Sequence, residues 1–159
     1  MYHNRHVIMK YVFILGFVVL FTSPAASGDK PPAQNTYVQC RVQTRQKSFN
    51  PGSTGELLIS LKPQEGIHIN LQPALDVKLD SSALVTPVGK TEVPRQSAGN
   101  YLDASLPIRQ QFAIPKSAQP GKMTIRGTIT YFYCSDAEGW CSRFKQSFLV
   151  DLTVARSSQ

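Results

Sequence analysis

Strand periodicity along almost the whole chain argues for an all-β domain, a two-sheet β-sandwich of about seven to nine short strands. Three observations carry that reading. Apolar and polar residues alternate with a period of two, as in strands with one buried face. Clusters of Pro, Gly, Asn and Ser punctuate the alternating runs. Beyond the N-terminal segment, no stretch of useful length carries an apolar stripe at helical spacing.

The elements follow in order. Tyr37 to Gln43 places Val38, Cys40 and Val42 on one face, and Asn50-Pro51-Gly52-Ser53 turns the chain. Gly55 to Leu61 alternates through Leu57, Ile59 and Leu61, and Lys62 to Gly66 is the next turn. Ile67 to Asn70 reads as a short strand, Leu75 to Leu79 as a cleanly alternating one, and Ala83 to Val85 as a further short run. Gly89 to Asn100 is the longest polar stretch and is expected to be a surface loop. Leu106 to Ile114 follows as a strand, with Ile108, Phe112 and Ile114 as core candidates, and Ser117 to Lys122 turns the chain again. Met123 to Cys134 is a long strand rich in Thr, Ile, Tyr and Phe. Phe144 to Ala155 is the last, with Phe148, Val150, Leu152 and Val154 in phase.

The N-terminus has the composition of a secretory signal peptide, residues 1–27. Arg5 and Lys10 precede the apolar run Tyr11 to Phe21, and the small residues Ser23, Ala25, Ala26 and Ser27 follow it. The run falls short of the roughly 20 residues needed to span a bilayer, and no later segment is long and apolar enough to cross one. Residues 28–35 then read as a flexible lead-in and residues 36–156 as one domain. Export to the periplasm or outside the cell is therefore expected, where disulfides form and persist. The formal charge is +7. Its basic residues are scattered, without the dense runs or aromatic interleaving that grip nucleic acid.

The chemistry-bearing segment lies near the C-terminus. In Tyr131-Phe132-Tyr133-Cys134-Ser135-Asp136-Ala137-Glu138-Gly139-Trp140-Cys141, a strand-like run leads into a small, polar, glycine-containing loop between two cysteines. That is the shape of a hairpin whose sides a disulfide can join near the tip. Closing so short a loop is worth only about 2.5 kcal/mol by chain entropy, and a domain of this size does not depend on it. Asp136 and Glu138 raise a neighbouring thiol pKa, while Arg143 and Lys145 oppose that. Cys40, in phase with Val38 and Val42, is expected to be a buried free thiol. His68, a lone histidine in a turn–strand segment, is expected to be structural.

Three stretches resemble the periplasmic N-terminal domain of the thiol:disulfide interchange protein DsbD. They are Phe49-Asn50-Pro51-Gly52 running into Gly55 to Ile59, then Pro63 to Ile69, then Pro120-Gly121 leading to Tyr133-Cys134-Ser135-Asp136-Ala137 and Gly139-Trp140-Cys141. The resemblance spans most of Tyr37 to Ala155, and the cysteine loop is its specific part. It implies an immunoglobulin-like sandwich, a stand-alone and divergent member of that family. It also implies that Cys134 and Cys141 shuttle between dithiol and disulfide. Electrons would come from a membrane-embedded thiol reductase and pass to periplasmic thioredoxin-fold proteins, with no dissociable cofactor. By the same analogy Cys134 is the sulfur attacked in the mixed disulfide and Cys141 the resolving thiol. Tyr101, Tyr133 and Trp140 are candidates for shielding the pair or contacting a partner.

The chain departs from the family pattern in three ways. Six residues rather than five separate the cysteines, Ser142-Arg143-Phe144 stands where Tyr-Pro-Pro is usual, and the cap-loop region Gly89 to Leu102 has Tyr101 as its one aromatic. The rival reading is a non-enzymatic secreted binding module with a permanent structural disulfide. A hydrolase is disfavoured, because a nucleophile motif such as Gly-x-Ser-x-Gly is lacking.

Overall fold

The structure, a computed structural model, describes residues 33–80 and 84–156. The expected signal segment, most of the lead-in and Ala83 lie outside the described residues. Nine strands appear among the described residues: β1 Val38–Thr44, β2 Ser48–Phe49, β3 Thr54–Pro63, β4 Ile67–Asn70, β5 Asp76–Leu79, β6 Thr86–Glu92, β7 Ile108–Ala113, β8 Gly121–Ser135 and β9 Trp140–Val154.

These strands form two sheets. The first runs β1-β3-β7-β6, antiparallel throughout. The second runs β2-β9-β8-β4, and β5 pairs with β8 farther along the same edge. β2 lies parallel to β9 for two residues, Ser48 beside Thr153 and Phe49 beside Val154. The order is compatible with an immunoglobulin-like sandwich, whose larger sheet takes its first, second, fifth and fourth strands in that sequence. The described residues are thus all-β and two-layered, as the alternation predicts.

The inner faces are the apolar phases of the strands. Leu57, Ile59 and Leu61 of β3 and Ile108 and Phe112 of β7 face Met123, Ile125, Ile129, Tyr131 and Tyr133 of β8 and Phe148, Val150, Leu152 and Val154 of β9. Phe49 closes one end of this core, its ring edge-on to Phe112 at 5.5 Å. Ile69, Leu102, Tyr131 and Tyr133 pack the other end, behind the cysteines.

Two expectations are corrected, and one element is added. The polar stretch from Gly89 is not all loop, because its start belongs to β6. β6 is an edge strand with only Val88 and Thr91 half-buried, so its backbone pairing with β7 leaves no apolar alternation to read. Its register shifts between Val88 and Glu92, and Gly89 takes φ 66° there, a conformation only glycine adopts freely. The short run ending at Val85 is not a strand: Leu84 is exposed, Val85 enters the core, and pairing begins at Thr86. β2 is an element that periodicity missed, because two residues cannot display a period.

Gly127 is a point of close approach within the second sheet, between β8 and its neighbours β9 and β5. It lies on the inner phase of β8, directly opposite Phe148. A Cβ there would stand 2.5 Å from Cζ of Phe148 and 2.6 Å from the backbone oxygen of Lys78. The ring can turn aside only at the expense of core packing, and the carbonyl is held by β5 pairing. Gly127→Ala is therefore expected to destabilise the domain by about 1–3 kcal/mol. Ser147→Ala, on the exposed phase of β9, should change it by less than about 0.5 kcal/mol. Urea unfolding of the two variants checks the contrast.

Candidate functional site

The site is built by the β8–β9 hairpin. The two strands stay in register through fifteen pairs, from Gly121 opposite Val154 to Ser135 opposite Trp140. Four residues, Asp136 to Gly139, make the turn. Gly139 accepts φ 69° and donates its backbone N–H to the Ser135 carbonyl at 2.9 Å, and the Glu138 N–H reaches the Ser135 hydroxyl at 3.3 Å. One pair before the turn, Cys134 stands directly opposite Cys141. Opposed residues on antiparallel neighbours project to the same face with their Cβ atoms close together. The Cα atoms are 4.1 Å apart and the two sulfurs are bonded.

Strand alternation decides the face. Tyr131 and Tyr133 point into the core, so Phe132 and Cys134 point outward. The disulfide therefore sits on the outer face of the second sheet. The register across β4, β8 and β9 sets His68, Cys134 and Cys141 in one row and Asn70, Phe132 and Arg143 in the next.

The two sulfur-bearing residues are not equivalent. Cys134 lies between β9 and β4 and is only 3% exposed. Asn70 Nδ2 donates a hydrogen bond to its Sγ at 2.8 Å. Cys141 is exposed. β9 has β8 on one side, and β2 pairs only with Thr153 and Val154 at its far end, so no described strand pairs with β9 beside Cys141. This opposes the assignment of Cys134 as the attacked sulfur, since burial withholds it from an incoming thiolate.

The segment after β6 covers the β4 side. Tyr101 bridges Asn70, the Leu71 N–H bonds to the Asn100 carbonyl at 2.9 Å, and the Leu102 N–H bonds to the Ile69 carbonyl at 2.9 Å. This backbone pairing sets the Tyr101 ring 4.3 Å from the His68 ring, centroid to centroid. His68 Nδ1 is 3.4 Å from Asp136 Oδ2 in the turn. His68 is thus held between Tyr101 and Asp136, next to Cys134 in the register.

Tyr133 and Trp140 stand elsewhere. Tyr133 is on the inner phase of β8, on the opposite side of the sheet from the sulfurs. Its ring meets Trp140 edge-on at 5.7 Å, and Tyr37 lies 5.1 Å from Trp140 and 6.0 Å from Tyr133. The Trp140 indole N–H donates to the Glu138 carboxylate, which ties the turn to the same cluster. These rings brace the hairpin tip from behind. Of the three aromatic candidates, Tyr101 alone lies on the cysteine face.

Asn70 and Tyr37 are site residues that sequence reasoning missed. Ile67-His68-Ile69-Asn70 does contain the signal for Asn70, since His68 and Asn70 share the polar phase. What the local pattern lacks is the identity of the neighbouring strand. Among the described residues, Arg143 and Lys145, on the cysteine face of β9, have no carboxylate within ion-pair distance.

Cys40 is a free thiol on β1, half-buried rather than fully buried. It lines a cleft of about 500 Å³ with Asn35, Lys62, Gln64 and Gln146. Burial pushes its pKa from 9.0 up to about 11. Tyr131, whose hydroxyl accepts a hydrogen bond from Asn35 Nδ2 at 3.1 Å, is also pushed up by burial.

No protein-family model matches the chain, and no curated protein matches it either.

The raised Cys40 pKa has two consequences. With the disulfide intact, iodoacetamide should modify Cys40 about one hundred times more slowly at pH 8 than it modifies an ordinary cysteine thiol. The folded state also holds this proton to higher pH than the unfolded chain does. Its contribution to stability is therefore full below about pH 9 and lost as the pH rises towards about 11. Urea midpoints of wild type and Cys40→Ala, measured across that window, should converge as the pH rises.

Proposed function

We propose that this protein is an exported thiol–disulfide exchange domain that carries electrons between proteins through a reversible Cys134–Cys141 disulfide. The observation that carries the proposal is the asymmetry of the bridge. An exposed Cys141 lies on β9 where no described strand pairs with the side away from β8. It is bonded to a buried Cys134 whose sulfur already receives a hydrogen bond. Exchange needs an attacked sulfur that a thiolate can reach and a leaving sulfur that can hold the released charge. The cysteine loop's resemblance to the DsbD N-terminal domain, and strand orders compatible with an immunoglobulin-like sandwich, support the same reading.

In the proposed cycle, a thiolate of a dithiol protein attacks Cys141 Sγ. The Cys134–Cys141 bond breaks and its electron pair leaves on Cys134 Sγ. The partner's second thiolate then attacks its own sulfur in the mixed disulfide and releases Cys141. The partner is oxidised to a disulfide and this domain is reduced to the dithiol. Run in reverse, the same steps deliver the electrons to a disulfide protein. Donor and acceptor are proposed to be a membrane-embedded thiol reductase and periplasmic thioredoxin-fold proteins, which requires residues 1–27 to act as a signal peptide. Tyr101 is proposed to lie at the rim of the partner contact.

Opening the bridge costs the fold little. The strands it joins are already paired over fifteen positions, and the turn is braced by Tyr37, Tyr133 and Trp140.

The first test is the reduction potential of the pair in a Cys40→Ala background, equilibrated in thiol/disulfide buffers and trapped by alkylation. A value between about −180 and −270 mV is expected of an exchange protein. A bridge that stays closed below about −300 mV would be structural and would leave a disulfide-stapled binding module. The second test is trapping. In the same Cys40→Ala background, Cys134→Ala should accumulate a mixed disulfide through Cys141 with the disulfide form of a thioredoxin-fold protein, because Cys134, which resolves that intermediate when electrons are delivered, is gone. Cys141→Ala should trap little. The opposite pattern on non-reducing gels would reject Cys141 as the attacked sulfur.

A further inference from the structure

We infer that Asn70 is a catalytic residue of the thiol–disulfide step: its side-chain amide N–H stabilises, by hydrogen bonding, the negative charge that develops on Cys134 Sγ when the disulfide opens. The inference rests on the exchange reading for its biological use, but the coupling between Asn70 and Cys134 is a property of the domain alone.

The geometry is direct. Asn70 Nδ2 is 2.8 Å from Cys134 Sγ. Among the described residues this is the only hydrogen bond of that amide, so the sulfur does not compete with another acceptor. The backbone of Asn70 is fixed on both sides, paired with Phe132 of β8 and bridged to Tyr101. The side chain is therefore not needed to hold the sheet together, and its position is set before any reaction.

The sulfur of a disulfide is a weak, neutral acceptor, whereas a thiolate is a full anion. Hydrogen bonds to an ionised acceptor are about twice as strong as neutral ones. The Asn70 interaction thus strengthens as the S–S bond breaks, which is the condition for lowering a barrier rather than merely binding the resting state. In the balanced step, the incoming thiolate bonds to Cys141 Sγ, the S–S pair departs to Cys134 Sγ, and that thiolate sits against the amide N–H. It is later protonated from solvent when the domain is released as dithiol, or it re-forms the bond in the reverse direction.

Other groups face this sulfur. His68 neighbours it from β4, Asp136 approaches from the turn and contacts His68, and the Tyr101 ring lies against His68 from the covering segment, tilted by 59°. Arg143 lies in the next row on β9, two positions beyond Cys141. Asp136 opposes a thiolate, Arg143 favours it, and His68 favours it only when protonated. Asn70 is the neutral donor in contact with the sulfur, so its contribution persists across the pH range.

Two variants test the assignment. Asn70→Ala deletes the donor. Asn70→Asp keeps the shape of the side chain and replaces the donor with an acceptor. In a Cys40→Ala, Cys141→Ala background, the pH profile of Cys134 alkylation reads its thiol pKa. Asn70→Ala should raise that pKa by about one unit and Asn70→Asp by more, the scale of one charge-assisted hydrogen bond. With both cysteines of the pair present, dithiothreitol should reduce the disulfide about tenfold more slowly in Asn70→Ala than in the parent. Urea unfolding of each variant separates these effects from loss of fold.

An unchanged Cys134 profile and reduction rate in both folded variants would overturn the inference. If Asn70→Ala does not fold, the shape-conserving Asn70→Asp decides alone. A reduction potential below about −300 mV would sink the exchange function. The Cys134 profile would still decide, independently of that potential, whether Asn70 stabilises the thiolate.

Discussion

The in-register pairing of β8 with β9 is the constraint from which the rest of this molecule follows. It places Cys134 opposite Cys141, sets both on one face, and puts the turn immediately beyond them. A slip of one residue would turn Cys141 towards the core and Trp140 outward, because strand side chains alternate. That register is over-determined. The inner phases of the two strands, from Met123 to Tyr133 and from Phe148 to Val154, are buried against the first sheet, so a slip would expose a whole row of apolar residues. The position of two sulfurs at one end is thus secured by core packing along the full length of the hairpin.

Sheet order supplies the second feature, the inequality of the two cysteines. β8 is flanked by β9 and β4, whereas β9 has β8 and only a two-residue contact with β2 at its far end. Cys134 is covered because its strand is central, and Cys141 is exposed because its strand is an edge at that level. An unpaired edge is ordinarily a hazard for aggregation, and charged residues are a common protection. Arg143 and Lys145 stand on this stretch of β9. The same opening that leaves Cys141 reachable therefore carries the charges that discourage another strand from adding there.

Much of the fold was legible because its strands are half-buried. Gly55 to Leu61, Met123 to Cys134 and Phe144 to Ala155 alternate visibly, and each is found as a strand with its apolar phase inward. β6 was illegible for the converse reason: an edge strand with little burial has no phase to show. At the site, the cysteines and their turn were readable, but their surroundings were not. Local pattern tells which residues share a face of one strand. It does not tell which strand lies alongside. His68 and Asn70 become neighbours of Cys134 only through β4–β8 pairing between positions more than sixty residues apart in sequence. Tyr133 and Trp140 were attractive by proximity in sequence. Yet Tyr133 is adjacent to Cys134 and so, by alternation, on the other side of the sheet.

These features bear on what opening the disulfide would do to the domain. A bridge that held the sandwich together would join its two sheets, and its reduction would release one layer from the other. Cys134 and Cys141 instead join adjacent strands of a single sheet, one pair before their own turn. Chain entropy assigns so short a loop only about 2.5 kcal/mol. The work of holding the tip falls to other groups: the Gly139–Ser135 backbone bond, the Trp140–Glu138 hydrogen bond and the Tyr37–Tyr133–Trp140 cluster on the inner side. None of these passes through a sulfur. The reduced and oxidised forms can therefore share one backbone, and the difference between them is concentrated on the outer face, at Cys141 and at the Cys134–Asn70 contact. The proposed carrier role needs that separation, because a domain whose stability rode on its disulfide would lose its binding surface each time it delivered its electrons.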